Sequence, residues 1–142
     1  MITNEQVKKY SEILSKSIKK DKYEVEMILT ITKWWLIPTY YIAKQLNIKC
    51  IEVLNINSYV GTEIWWIIEH TQFKKDFSKY NILIIDDLVD TWKTIEYILK
   101  NYKFKTYKIA TLFHKKDSII EPNYCYDRNL PKDKWIEFEY EV

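Results

Sequence analysis

Glycine is almost absent from this sequence, since Gly61 is the only glycine in 142 residues. Average usage of roughly 7% would give about ten. Cysteine is also scarce: Cys50 and Cys125 are the only two, and such a pair is more often two small hydrophobic residues than a disulfide or a metal site. The sequence therefore argues against a disulfide scaffold and against a cysteine-based metal cluster.

No hydrophobic run in the sequence is long enough to cross a membrane. The most apolar stretch, residues 27–43, contains Lys33 and Pro38 and is shorter than the roughly 20 residues that a spanning helix needs. Residues 1–5 have neither a basic start nor an apolar run, which does not fit a signal peptide. We therefore expect a cytoplasmic protein with no membrane partner.

A strong charge of one sign is missing as well, because 22 basic and 20 acidic residues leave a formal charge of +2. The lysines are scattered rather than aligned on one face, which argues against nucleic acid as a partner. The length and the 47% hydrophobic content suit a single domain over residues 1–142 with a continuous core.

Apolar periodicity predicts alternating helices and strands in the first half of the chain. Residues 5–20 have helical spacing and Thr3 or Asn4 as a candidate N-cap. Residues 26–32 and 49–56 are β-rich, and a helix is predicted to start near Pro38 between them. Residues 58–79 have no clean period, which favours a long loop or a ragged hairpin; we expect a mobile hood there.

The second half of the chain predicts a βαβ unit. Residues 81–85 are a continuous apolar run, typical of a strand buried on both faces of a parallel sheet. Helical spacing follows over 95–102, and residues 107–113 are strand-like. The fold class is therefore α/β, with a mostly parallel sheet flanked by helices, and ligands are expected where 32–35 and 86–94 meet beyond the strands' carboxyl ends.

The most informative segment reads IIDDLVDTWKT over residues 84–94. A loop that opens a helix after a buried strand is suited to a phosphate, because backbone N–H groups and the helix dipole face it. Two adjacent acids after a strand can instead be a solvated turn. A response-regulator receiver domain also has acids after a strand, but its acids lie near the start of the domain.

This segment resembles the phosphoribosyl pyrophosphate (PRPP) signature of type I phosphoribosyltransferases: four hydrophobic residues, two acids, two hydrophobic residues, then Asp-Thr-Gly, a variable residue and Thr or Ser. Only Trp92 departs from that pattern. The resemblance implies that Asp86 and Asp87 bind the ribose hydroxyls and hold Mg²⁺, and that Asp90 is the catalytic acid or base. It assigns the 5′-phosphate to Asp90, Thr91, Trp92, Lys93 and Thr94.

Two further segments resemble purine enzymes of this family. Residues 30–38 resemble the pyrophosphate loop, with Thr32, Lys33 and Trp34 as the binding residues, although an ordinary βα turn is the alternative. Near the carboxyl end, Lys115, Trp135 and Ile136 take the places of the residues that bind the purine. There the alternative is a surface lysine and a core aromatic residue.

The family resemblance implies a type I phosphoribosyltransferase fold with a hood loop and a small C-terminal base-binding segment. It implies an enzyme of purine salvage, closest to xanthine-guanine and hypoxanthine phosphoribosyltransferases, which moves phosphoribose from PRPP to N9 of an oxopurine with Mg²⁺. A homodimer or homotetramer is also implied. Two alternatives stay open, namely a phosphoribosyltransferase for another base and a non-catalytic sensor of PRPP or nucleotides.

Tryptophan occupies several positions where the family has glycine. Trp34, Trp35 and Trp92 stand at such positions, and Trp65 and Trp66 form a further pair in the expected hood. Glycine there lets the backbone approach phosphate or adopt positive φ, so tryptophan should block the site. We hypothesise that UGA codons for glycine were translated as tryptophan; the alternative is a divergent relative with genuine tryptophans.

Overall fold

A computed structural model of the chain describes residues 1–31, 35–60, 65–69, 73, 75–89 and 92–141. Along these residues the elements alternate largely as the sequence predicts. They are α1 (Asn4–Asp21), β1 (Met27–Ile31), α2 (Leu36–Leu46), β2 (Ile51–Leu54), β3 (Ile56–Val60), β4 (Trp65–Glu69), β5 (Asn81–Val89), α3 (Trp92–Asn101), β6 (Thr106–Lys115) and β7 (Tyr124–Leu130). Short 3₁₀ segments lie at Phe77–Lys79 and Glu139–Glu141.

Five of the strands form a parallel sheet in the order β2-β1-β5-β6-β7. Strand β5 lies at its centre between β1 and β6, as expected for an apolar run buried on both faces. The other two strands, β3 and β4, form an antiparallel hairpin. The predicted α/β class with a parallel central sheet is thereby confirmed.

Alternate residues of the central strands face two different helix layers. Leu83 and Ile85 pack in one buried cluster with residues of α1 and α2. Ile82 and Ile84 pack in a second cluster that includes Ile95 of α3. Because side chains of a strand point alternately to opposite faces, helices cover both faces of the sheet. In such folds ligands bind beyond the carboxyl ends of the strands.

Helix α1 begins where its capping residue predicts. The Thr3 side chain accepts a hydrogen bond from the Gln6 backbone N–H, and the Gln6 side chain accepts one from the Thr3 N–H. This reciprocal pair satisfies two otherwise unpaired donors at the helix start. Of the two predicted N-caps, Thr3 is therefore the correct one.

Two predicted strand boundaries differ from the structure. The stretch 49–56, predicted as one strand, divides at Asn55, because β2 ends in the sheet and the chain turns into the hairpin at Ile56. Residues 58–79 contain the hairpin strand β4 and the end of β3, so of the two sequence interpretations the ragged hairpin is the correct one. In the described part of the chain, no helix combines the length and apolarity that a bilayer crossing requires.

Candidate active site

The carboxyl half of β5 places two acids toward the carboxyl ends of the parallel strands. Pairing of β5 with β1 extends as far as Ile85 opposite Thr30, so Asp86 is the first residue beyond that ladder. On its other side Asp86 is opposite Thr111 of β6. The Asp86 side chain is 8% exposed. A buried residue with a carboxylate side chain therefore lies just beyond the β1–β5 ladder, where β5 is still paired with β6.

Strand β5 is longer than the sequence predicts, because β6 continues to pair with it. The register includes Leu88 opposite Phe113 and Val89 opposite His114. Asp86 and Asp87 consequently lie inside the strand rather than directly after it, which corrects the predicted end at residue 85. The backbone that carries both acids is held by a ladder on the β6 side, which limits its freedom.

Helix α3 begins at Trp92, three residues after Val89, the last residue of β5. Lys93 and Thr94 lie in its first turn and are half-buried. The strand therefore runs almost directly into a helix N-terminus, where N–H groups and the dipole favour an anion. Of the predicted phosphate-binding residues, Asp90 and Thr91 fall outside the described residues.

The start of the neighbouring loop is anchored by a buried hydroxyl pair. Thr39 of α2 donates a 3.0 Å hydrogen bond to the Thr30 hydroxyl of β1, and both residues are fully buried. This bond ties the end of β1 to the start of α2 across the predicted pyrophosphate loop. Thr32, Lys33 and Trp34, the predicted pyrophosphate-binding residues, lie outside the described residues.

Trp35 is buried in the core rather than facing the sheet edge. Its side chain is 1% exposed, and its ring meets Phe138 edge-to-face with centroids 5.4 Å apart. The expectation that Trp35 obstructs the phosphate site is therefore wrong for its side chain. In this position the indole instead packs α2 against the carboxyl-terminal segment.

Lys115, the predicted base-binding lysine, is the last residue of β6. It is 9% exposed and lies one residue beyond His114, the partner of Val89. Toward β7 the register changes, since Phe113 is opposite Asp127 but Lys115 is opposite Leu130. Such irregularities re-aim side chains next to active sites. The fold thus brings Lys115 to the same end of the sheet as the acids of β5.

The carboxyl-terminal segment presents the other two predicted base-binding residues. The Trp135 side chain is 74% exposed, whereas Ile136 is partly buried against the core. The segment is held by Ile2, whose N–H donates to the Glu137 carbonyl at 2.7 Å and whose carbonyl accepts from the Glu139 N–H at 2.9 Å. Trp135 is consequently not a core aromatic residue, which removes that alternative.

Sequence reasoning missed a carboxylate that joins the hairpin to α3. Glu69, at the end of β4, accepts a 2.6 Å hydrogen bond from the Tyr97 hydroxyl and another from Tyr102. The Glu69 bond raises the pKa of Tyr97 to about 12, and burial, together with the same carboxylate, raises the pKa of Tyr102. No spacing signal in the sequence links residues 28 and 33 positions apart.

Among the described residues, the carboxyl end of the sheet therefore carries the buried Asp86, the N-terminus of α3 and the buried Lys115. The carboxylate can accept from sugar hydroxyls or bind a hard cation, and the helix N-terminus can hold a phosphate. The lysine can donate to a carbonyl oxygen. A sugar phosphate joined to a heterocyclic base would meet all three groups.

Comparison with known proteins identifies a family. The family of phosphoribosyl transferase domains matches residues 2–142. Xanthine-guanine phosphoribosyltransferase of Idiomarina loihiensis is 26% identical over 119 residues, which cover 81% of this chain and 70% of that protein. Hypoxanthine-guanine phosphoribosyltransferase of Streptococcus pyogenes is 37% identical over 65 residues, 41% of this chain and 35% of that protein.

Solved structures share the fold. A purine phosphoribosyltransferase from Pyrococcus horikoshii has a TM-score of 0.80 at 24% identity, covering 99% of this chain and 95% of that one. A Neisseria gonorrhoeae protein with bound ppGpp has a TM-score of 0.81 at 18% identity, covering 99% and 87%. At these identities the likeness concerns the fold.

Proposed function

This chain belongs to the phosphoribosyl transferase family, and from that membership we propose that it transfers the 5-phosphoribosyl group of PRPP to N9 of an oxopurine. Guanine, xanthine and hypoxanthine are the candidate bases. The products are the nucleoside monophosphate and pyrophosphate, as in purine salvage. The relatives named for purine bases cover most of the chain and support this substrate class.

The observation that carries the proposal is that Asp86 and Lys115 lie in the carboxyl halves of two adjacent strands, β5 and β6. Register puts Asp86 opposite Thr111 and His114 opposite Val89, the residue before the segment that leads to α3. A ribose phosphate held at the start of α3 would therefore lie between the acids and the lysine.

The donor set at β5 fits Mg²⁺. Mg²⁺ prefers oxygen ligands and is usually held by one or two carboxylates together with substrate phosphates and waters. Asp86 and Asp87 supply carboxylates of that kind, while the described residues contain no group of three or more His, Cys, Asp or Glu that would form a complete protein cage. When bound, the ion would neutralise charge on the pyrophosphate group.

Each residue has a defined part in the reaction. The bond from C1′ to pyrophosphate breaks, and pyrophosphate leaves with the electron pair while N9 of the base bonds to C1′. Asp86 and Asp87 stabilise the positive charge that develops on the ribose ring. Asp90 takes the proton that N9 releases, and the first turn of α3, with Thr91, Lys93 and Thr94, holds the 5′-phosphate.

The base is recognised by the end of β6 and by the carboxyl-terminal segment. Lys115 donates to the exocyclic oxygen at C6, Trp135 stacks on the ring, and the backbone of Ile136 meets the edge of the base. The high exposure of the Trp135 indole supports this role, because a large exposed aromatic ring is available for stacking.

The test is the formation of monophosphate from PRPP, Mg²⁺ and each of guanine, xanthine, hypoxanthine, adenine and uracil. It uses the chain as written and the variant Trp34→Gly/Trp92→Gly, here called the glycine-substituted chain. We expect monophosphate only from the oxopurines and mainly with the glycine-substituted chain. Product from adenine or uracil alone would identify a phosphoribosyltransferase for another base.

A sensor of PRPP or nucleotides is the second candidate. The tryptophans at positions where the family has glycine argue against turnover and therefore keep this candidate open. Nucleotide binding without product from either chain would establish this function. A homodimer or homotetramer and a cytoplasmic location remain predictions, which sedimentation and fractionation would check.

A further inference from the structure

We propose that His114 is a positioning residue for base recognition, fixing the loop that follows Lys115. This inference rests on the proposed function, because it assigns Lys115 to the purine. His114 lies between the two halves of the site: it is the partner of Val89, where β5 leaves for the phosphate segment, and it directly precedes Lys115.

The imidazole of His114 makes a contact that fixes its tautomer. Its side chain is 6% exposed, and Nε2 lies 2.9 Å from the Ile120 carbonyl oxygen. Since a carbonyl can only accept, Nε2 carries the proton and donates. The Ser118 hydroxyl donates to the same oxygen at 3.4 Å. Ile120 is thereby held beside the end of β6.

The loop held in this way closes directly on Lys115. The Ser118 N–H donates to the Lys115 carbonyl at 3.0 Å, and the Lys116 N–H donates to the Leu130 carbonyl at 3.2 Å. These bonds fix the backbone immediately after Lys115, and the His114 bond fixes the loop five residues later. Without the imidazole donor, the Ile120 carbonyl would lose its shorter partner, and the loop would be free to shift the lysine.

A second anchor of the same loop lies farther from the lysine and offers a control. Arg128 donates to the Pro122 carbonyl at 3.0 Å and to the Asn123 carbonyl at 3.1 Å. It holds the far end of the 116–123 connection and does not adjoin Lys115 in sequence. Loss of Arg128 should weaken the loop without moving the lysine.

The experiment compares His114→Leu, His114→Gln and Arg128→Met in the glycine-substituted chain. Leucine removes the donor, whereas the glutamine amide can donate to the Ile120 carbonyl. We expect His114→Leu to raise KM for the purine about five- to tenfold, the effect of one lost hydrogen bond of about 1 kcal/mol, with KM for PRPP and kcat unchanged within about twofold. His114→Gln should restore the purine KM, and Arg128→Met should lower only the thermal midpoint.

The proposal is overturned if His114→Leu leaves the purine KM unchanged, raises both KM values equally, or is not rescued by glutamine. Amide hydrogen exchange of the chain as written separates this outcome from failure of the proposed function. There His114→Leu should speed exchange at Lys116 and Ser118, and His114→Gln should not. Unchanged exchange refutes the positioning role even if no purine proves to be a substrate.

Discussion

The hydroxyl of Tyr97 lies 2.6 Å from the carboxylate of Glu69, joining helix α3 to the base of the β3–β4 hairpin. Glu69 is opposite Ile56, which is itself buried in the core. The base of the hairpin is therefore fixed to the helix that starts at the candidate phosphate site.

Alkaline pH should break the hydrogen bond between Tyr97 and Glu69, because it removes the proton that Tyr97 donates. The Glu69 bond, burial and the negative charge of Glu69 raise the pKa of Tyr97 from 10.0 to about 12. Because the folded pKa lies above the unfolded one, the stabilisation is complete below about pH 10 and is lost as the pH rises through about 12. We expect the free energy of unfolding to fall more steeply between pH 10 and 12 in the native chain than in Tyr97→Phe.

Tyr40→Phe is the matched control, since Tyr40 is 58% exposed on α2. Its pH profile should follow that of the native chain. Urea unfolding at a series of pH values measures all three proteins. Parallel curves for Tyr97→Phe and the native chain would show that Glu69 does not act on Tyr97 in this way.

Trp35→Gly should destabilise the chain as written. Removing a fully buried aromatic side chain from a core costs about 3–5 kcal/mol, and the edge-to-face contact with Phe138 would also be lost. We expect a clear fall in the denaturation midpoint, with Trp135→Gly as an exposed control that changes little. An unchanged or higher midpoint for Trp35→Gly would instead favour glycine as the native residue at this position.

The sequence was sufficient to predict the elements with strong periodicity. The apolar run at 81–85 and the helical spacing over 5–20 predicted β5 and α1, because burial on both faces and amphipathicity leave direct traces in residue order. The end of β5 was wrong by four residues. Pairing with β6 continues through Asp86 and Asp87, and a ladder with a distant strand overrides the local polarity of two acids.

Site residues that belong to short continuous motifs could be predicted from the sequence. Contacts between residues far apart in the sequence could not. Asp86 and Lys115 were identified from segments that resemble the family, and the structure places Asp86 on β5 and Lys115 at the end of the neighbouring strand β6. Trp35 was misjudged, because a family glycine position suggested the phosphate site while its burial against Phe138 depends on a segment 103 residues later. Glu69 and its tyrosines likewise had no signal in the sequence.

Acid should weaken the connection between α1 and the sheet. Hydrogen bonds from Lys108, at 2.5 Å, and from Tyr124 lower the pKa of Asp21. Because the folded pKa lies below the unfolded one, this stabilisation is present above about pH 4 and is lost as the pH falls below it. Asp21→Asn should therefore show a shallower loss of stability between about pH 4 and 2 than the native chain in acid unfolding. Identical slopes would contradict the assignment.

Asp90→Asn should lower turnover far more than affinity. An amide can still hydrogen-bond but cannot take the proton from N9, and a positioned acid or base contributes a factor of about 10² to 10⁴. In the glycine-substituted chain we expect kcat to fall by that factor while the Kd for PRPP changes little. Lys93→Met is the comparison, since it should weaken PRPP binding more than turnover. Unchanged kcat in Asp90→Asn would limit Asp90 to a structural role.

The chain as written should bind PRPP weakly or not at all. Trp34 and Trp92 replace glycines of the family's phosphate-binding loops, and an indole in such a loop displaces the phosphate oxygens that backbone N–H groups would hold. Trp34→Gly/Trp92→Gly should restore binding, by at least about tenfold in Kd, equivalent to 1.4 kcal/mol.

Calorimetric titration with PRPP and Mg²⁺ measures this change, with Trp135→Gly as the control for the loss of a tryptophan outside both loops. Adding Trp35→Gly tests whether all three substitutions are needed, as the family pattern implies, or whether the core packing of Trp35 makes the third one harmful. Glycine at 34 and 92 would also agree with UGA codons at those positions in the gene. Tight PRPP binding by the chain as written would instead show that the tryptophans are native parts of the site.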